Sequence, residues 1–90
     1  MTTEELKDHL NHYSYYRYMK KTEPEEFLPL YKMVKKWLFF LPKCERKVLF
    51  LRYCLHRTST WISVELDCSR MNVYRMEKQA FERLCYQFCM

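Results

Sequence analysis

Apolar residues recur at three- and four-residue steps along almost the whole chain, the period of helices that bury one face. Leu6, Leu10, Tyr13 and Tyr16 or Arg17 mark a first helix reaching about Lys21, with Thr2 or Thr3 as cap and Glu4 and Glu5 at its positive end. The stretch TEPEEF is a break and a restart, where Thr22 or Glu23 caps and Pro24 sits near the first helical position. Phe27, Leu30, Tyr31, Val34, Trp37, Leu38 and Leu41 then form the clearest amphipathic stripe, and Pro29 suits that helix if it lies within the first turn. Pro42 ends the second helix and opens a third, KCERKVLFLRYCLH, with Val48, Leu49, Leu51 and Leu55 facing inward and Tyr53 left open. A link at RTS leads to a short fourth helix, STWISVEL, with Ile62 and Leu66 inside. After a tight turn at DCS, Ser69 caps a fifth and longest helix towards Cys89, seated by Val73, Met76, Ala80 and Leu84.

The expected fold is all-α with five helices. Residues 1–40 form a two-helix extension that offers a packing or partner face, and residues 41–90 form a helix-turn-helix domain. Composition agrees with this. Ninety residues suffice for one core, and the complete lack of glycine disfavours the tight hairpins that sheets need. Five cysteines, an odd number with no CxxC pair, together with a polar, acidic start, point to reduced thiols and a cytoplasmic setting. The longest apolar run, WLFFLP, is too short to span a bilayer.

Two helices joined by a three-residue turn, the second one basic at its start, make the helix-turn-helix pattern. Ser63 is small where the second helix must cross the first, Asp67 tolerates left-handed backbone, Cys68 plugs the turn and Ser69 caps. The outer face of the last helix presents Arg70, Met71, Tyr74, Arg75 and Lys78. In a major groove Arg forks onto guanine, Asn72 onto adenine, and Met or Tyr touches a thymine methyl. Lysine farther along lies nearer phosphate. Charge points the same way: residues 41–90 hold nine Lys/Arg against five Asp/Glu, whereas residues 1–40 hold seven against six.

LPKCERKVLFLRY followed by WISVELDCSRMNVYRMEKQAFERL resembles region 4 of sigma-70-family transcription factors. Leu41, Pro42, Val48, Leu49, Leu51, Arg52, Tyr53, Ile62, Leu66, Ser69, Val73, Ala80 and Leu84 carry the likeness, which covers about residues 41–86. The resemblance implies that Arg70, Met71, Tyr74 and Arg75 fall where the family contacts promoter bases. It places Arg52, Thr58 and Ser59 near its phosphate contacts. The chain departs from the family at Cys44, where some members carry a basic DNA contact, in a shorter loop after Tyr53, and in a turn without glycine. Residues 1–40 hold no counterpart of the region that opens DNA. The chain is similar instead to small phage and prophage regulators of the ArpU/RinA type, region 4 behind a helical extension.

Other chemistries fare poorly. Tyr15 and Tyr18 are the tyrosines of YSYYRYMKK that a buried stripe leaves over, which favours a core or protein-contact face over a stacking platform for single strands. Phe39 and Phe40 cannot both join Trp37 and Leu38 on one face, and the surplus suits a second subunit or RNA polymerase. Cys85 with Cys89, and His9 with His12, lack the loop spacings of structural zinc. No serine or cysteine has a suggestively spaced histidine and there is no phosphate loop, so neither catalysis nor a cofactor is expected. The expectation is therefore a sequence-specific, double-stranded-DNA-binding regulator of transcription, encoded by a bacteriophage. Arg70, Met71, Asn72 and Arg75 would contact bases, Tyr74 a base or sugar, and Lys78, Arg52 and Ser59 the backbone. RNA polymerase or a second copy of the chain would be its protein partner. The rivals are a module that grips polymerase or a sigma factor without touching DNA, and an accessory protein of DNA packaging or recombination.

Overall fold

The described residues form six α-helices: α1 (Thr3–Asn11), α2 (Tyr13–Met19), α3 (Pro24–Phe40), α4 (Lys43–Leu49), α5 (Ser59–Glu65) and α6 (Arg70–Phe88). A π-helical turn, Phe50–Cys54, continues α4. These elements come from a computed structural model that describes residues 1–89, and no strand occurs among the described residues.

The first expected helix is two. His12 Nδ1 donates to the Asp8 carbonyl at 2.7 Å, while the His12 backbone N–H is divided between the Asp8 and His9 carbonyls, each at 3.2 Å. A side chain that takes over a backbone acceptor competes with helix continuation, and the axis breaks there. The apolar stripe survives the break, because Leu6, Leu10, Tyr13 and Tyr16 are all buried. Thr2 caps α1 in a reciprocal arrangement with Glu5. Glu23 precedes α3 without a side-chain cap, and Pro24 is its first residue. Pro29 lies inside α3 beyond the first turn, so the Glu25 carbonyl loses its usual helical donor where the residue is exposed and water can replace it.

The π turn changes the third expected helix. One extra residue in the turn rotates everything after it. Cys54 therefore enters the core, where its thiol lies 3.7 Å from the Leu10 carbonyl, and Leu55, expected inside, is 45% exposed. Burial pushes the Cys54 thiol up to about 12. His56 then takes the left-handed conformation (φ 56°) and Arg57 N–H closes back onto the Leu51 carbonyl at 2.9 Å.

Two apolar clusters hold the helices. The larger takes Leu6 and Leu10 from α1, Tyr13 and Tyr16 from α2, Phe27, Val34, Trp37 and Leu38 from α3, and Ala80, Phe81 and Leu84 from α6. Leu49, also in it, ties α4 to the same core, so residues 1–40 pack on the far half of α6. The smaller cluster is Val48, Ile62 and Val73, with Leu51, Leu66, Cys68 and Met76 around it. Arg46 donates to the Leu38 and Leu41 carbonyls at 3.0 and 3.2 Å, fixing the corner between α3 and α4. Arg83 Nε reaches both oxygens of buried Glu45 at 3.0 and 3.2 Å, locking the start of α4 against α6. Phe39 and Phe40 remain largely exposed, Phe40 edge-on to Phe88. No helix among the described residues is long and apolar enough to cross a membrane.

Candidate nucleic-acid interface

The turn between α5 and α6 forms as its local chemistry requires. Thr58 caps α5, its hydroxyl accepting from Trp61 N–H at 3.1 Å. Ser63 is buried at the crossing, and its carbonyl accepts from Cys68 N–H at 2.9 Å. Asp67 takes the left-handed conformation at φ 52°, and Ser69 caps α6 by accepting from Asn72 N–H at 3.1 Å.

Val73 is fully buried, so the side chains around it on the first two turns of α6 are forced outward. Arg70 and Arg75 are exposed, Met71 is 81% exposed and Tyr74 44%. Asn72 is half-buried and its Oδ1 accepts from Arg75 at 2.6 Å, which leaves its amide nitrogen as the outward donor. Both arginines stand at the exposed start of α6, Arg75 tied to the Asn72 amide and Arg70 close to the Tyr74 phenol.

A groove lies on each side of this ridge. On the α4 side, a hollow of about 490 Å³ is lined by Lys43, Lys47, Leu66, Asn72, Arg75 and Met76. On the α1 side, one of about 410 Å³ is lined by Lys7, Tyr74, Glu77, Lys78, Phe81 and Glu82, two lysines with two carboxylates. Lys78 therefore stands on the opposite flank from Arg75. Lys43 and Lys47, absent from the residues singled out in the sequence, join the ridge through the fold. Their four-residue spacing after Pro42 was the available signal.

Arg52 and Ser59, expected to hold a DNA backbone, also make contacts within the protein. Ser59 is only 8% exposed, and its hydroxyl is 2.9 Å from Tyr74 Oη. Arg52 Nε pairs with Glu77 Oε2 at 3.2 Å, and its guanidinium lies 5.8 Å from the centre of the Tyr74 ring. Tyr53 Oη donates to the other oxygen of Glu77. These contacts lock α6 to the π turn and to the start of α5, and they aim Tyr74. The Tyr74 phenol is held below its ordinary value by the Ser59 hydroxyl, then by the Arg70 guanidinium. Tyr53 moves up, first from burial and then from Glu77. Glu77 and Tyr53 were not foreseen as part of this assembly, since their pairing spans 24 positions.

Among the described residues, no group of three or more His, Cys, Asp or Glu side chains could hold a metal ion. The chain is 40% identical over 52 residues to an RNA polymerase sigma-F factor of Kitasatospora aureofaciens, a match that covers 58% of this chain and 18% of the sigma factor. Less than a fifth of that relative's length is therefore represented. No family model matches the chain. No solved structure matches it. The likeness is partial: part of this all-α chain is similar to part of a sigma factor.

Proposed function

We propose that the protein binds double-stranded DNA in a sequence-specific way through the first two turns of α6 and regulates transcription. One observation carries this reading. The start of α6 is an exposed ridge bearing Arg70, Met71, Tyr74 and Arg75, with Lys43 and Lys47 in the groove on one side and Lys78 on the other, while the far half of the same helix packs one face, Ala80, Phe81 and Leu84, into the core. A ridge one helix wide with phosphate-seeking groups on both shoulders suits a major groove flanked by two backbones. The partial similarity to a sigma factor supports it.

In this reading Arg70 and Arg75 fork onto guanine, the Asn72 amide donates to a base acceptor, and Met71 makes apolar contact with a thymine methyl. Tyr74 touches a base or sugar. Lys78 on one flank, with Lys43 and Lys47 on the other, takes phosphates. Ser59 and Arg52 act on the backbone chiefly by positioning Tyr74, because both are engaged inside the protein. One such module covers little DNA, so a second copy of the chain or RNA polymerase completes the affinity. The helical extension ahead of this unit is the ground for placing it with phage regulators of the ArpU/RinA type.

The test is selection of bound duplexes from a randomised pool by the whole chain, followed by salt titration of the best one. The expected result is a recurrent short motif and an affinity that falls steeply with salt as counterions are released. No enriched motif, together with an affinity indifferent to salt, would reject the reading.

A further inference from the structure

The near-neutral balance of residues 1–40 hides a segregation of charge. The corner between α2 and α3 encloses a hollow of about 560 Å³ lined by Ser14, Arg17, Tyr18, Lys20, Lys21 and Tyr31, with no carboxylate in its wall. The acids nearest in sequence, Glu23, Glu25 and Glu26, belong to the start of α3 and do not line it. Among the described residues Arg17, Lys20 and Lys21 form no ion pair, and Lys20 Nζ lies 4.0 Å from the centre of the Tyr31 ring. Positive potential converges there. The Tyr31 phenol is lowered first by the Tyr13 hydroxyl beside it, then by the charges of Lys20, Lys35 and Arg17.

This corner is joined to the α6 ridge by contacts. Ser14 Oγ donates to the Cys54 carbonyl at 3.3 Å, which holds α2 against the π turn. Asn11, nearly one helical turn before Ser14, lines a second hollow of about 470 Å³ together with Arg52, His56, Arg57 and Ser59. Ser59 in turn meets Tyr74 on α6. Cationic side chains therefore occur at three places: Arg70 with Arg75 on α6, Arg57 beside the second hollow (Arg52 there being paired with Glu77), and Arg17 with Lys20 and Lys21 at the corner. The longest dimension of the molecule is 41 Å, about twelve phosphate steps of roughly 3.4 Å, so a duplex longer than that outreaches any separation of these places.

We propose that the α2–α3 corner is a second phosphate-binding surface, which holds the backbone of the same duplex outside the site contacted by α6. The inference rests on the DNA-binding reading above. It gives the N-terminal helices a role in affinity that the helix-turn-helix does not supply, and makes that affinity depend on flanking DNA whatever its sequence.

The experiment uses the full chain and two duplexes carrying the selected motif, one trimmed to about 12 base pairs and one of about 30, each titrated with salt. Arg17→Ala/Lys21→Ala removes two exposed charges and leaves Lys20 on Tyr31; Lys21→Glu, the same change of two charge units at one position, is a second variant. The wild type should show a steeper slope of log K against log salt on the long duplex. The double variant should lose about two units of that slope, at about 0.9 per phosphate, with its short-duplex affinity and base preference unchanged. Lys21→Glu should lose part of it. A wild type that selects a motif while the variants keep its long-duplex slope would overturn this inference and leave the DNA-binding reading standing. A wild type that binds no duplex would remove both. Retention of single strands in preference to duplex, lost on Tyr18→Ala, would reassign the corner to base stacking and also overturn the proposal.

Discussion

The two halves of α6 live in different surroundings. Its far half is embedded by Ala80, Phe81 and Leu84 in a large core built with α1, α2 and α3. Its near half rests through Val73 on a cluster of only three fully buried side chains. Burial of one such side chain contributes roughly 1.5–3 kcal/mol, so the small cluster could not order a helix-turn-helix unaided. The large core holds the helix at one end and frees the other to stand clear. What residues 1–40 supply is first of all leverage.

Substitutions should separate the two regions. The largest effect is expected from Trp37→Ala, which empties the centre of the large core and should cost about 3–5 kcal/mol, seen as a lower midpoint in urea and loss of binding with the fold. Ile62→Val, in the small cluster, should cost about 0.5–1.5 kcal/mol. Its distinctive sign is faster amide exchange confined to α5 and the turn, with α3 amides unchanged. Uniform acceleration across all helices would show that the two clusters melt as one and that their separation has no energetic meaning.

Alkali should act mainly on the large core. Cys54 rises from 9.0 to about 12 by burial, and Tyr13, Tyr16 and Tyr53 also rise, burial being the first cause in each. A folded-state value raised above the unfolded one contributes stability that is intact at lower pH. It is lost as the pH climbs from 9.0 towards about 12, because only the unfolded chain releases the proton there. Tyr74, on the α6 ridge, moves in the opposite direction. Chemical denaturation in steps above pH 9.0 should show a falling midpoint, with the onset delayed by Cys54→Ala relative to that variant's own value at pH 7. The smallest effect is expected at the turn. Asp67→Gly relieves a left-handed conformation but loosens the unfolded chain, and the two terms of about 1 kcal/mol nearly cancel. A loss above about 2 kcal/mol would mean that the Asp67 side chain holds the turn in a way its backbone angle does not reveal.

Local chemistry made the α5–turn–α6 unit legible in the sequence. Ser69 caps, Asp67 bends and Ser63 clears the crossing, all within a few positions of what they control, whereas the Thr58 cap of α5 was not read. The buried stripe of α3 was legible for the same reason. The break at His12 was not, because an imidazole taking a backbone carbonyl leaves the apolar period undisturbed. Nor was the π turn, which keeps the chain helical while exchanging Cys54 for Leu55 in the core. At the candidate site, the outward set of Arg70, Met71, Tyr74 and Arg75 follows from the helical period alone. The gathering of Lys43 and Lys47 beside Arg75, the capture of Ser59 by Tyr74 and the anchoring of Arg52 by Glu77 depend on how distant segments meet.

The central claim is that the freed end of α6 selects a DNA sequence. Its most direct test is the ratio of affinities for the selected duplex and a scrambled one, measured at one salt concentration for the wild type and for Arg70→Ala/Arg75→Ala. Each bidentate arginine–guanine contact contributes about 1–3 kcal/mol of discrimination, so the account predicts that the ratio falls by about fivefold or more per arginine while the variant stays folded. A folded double variant that keeps the wild-type ratio would contradict it.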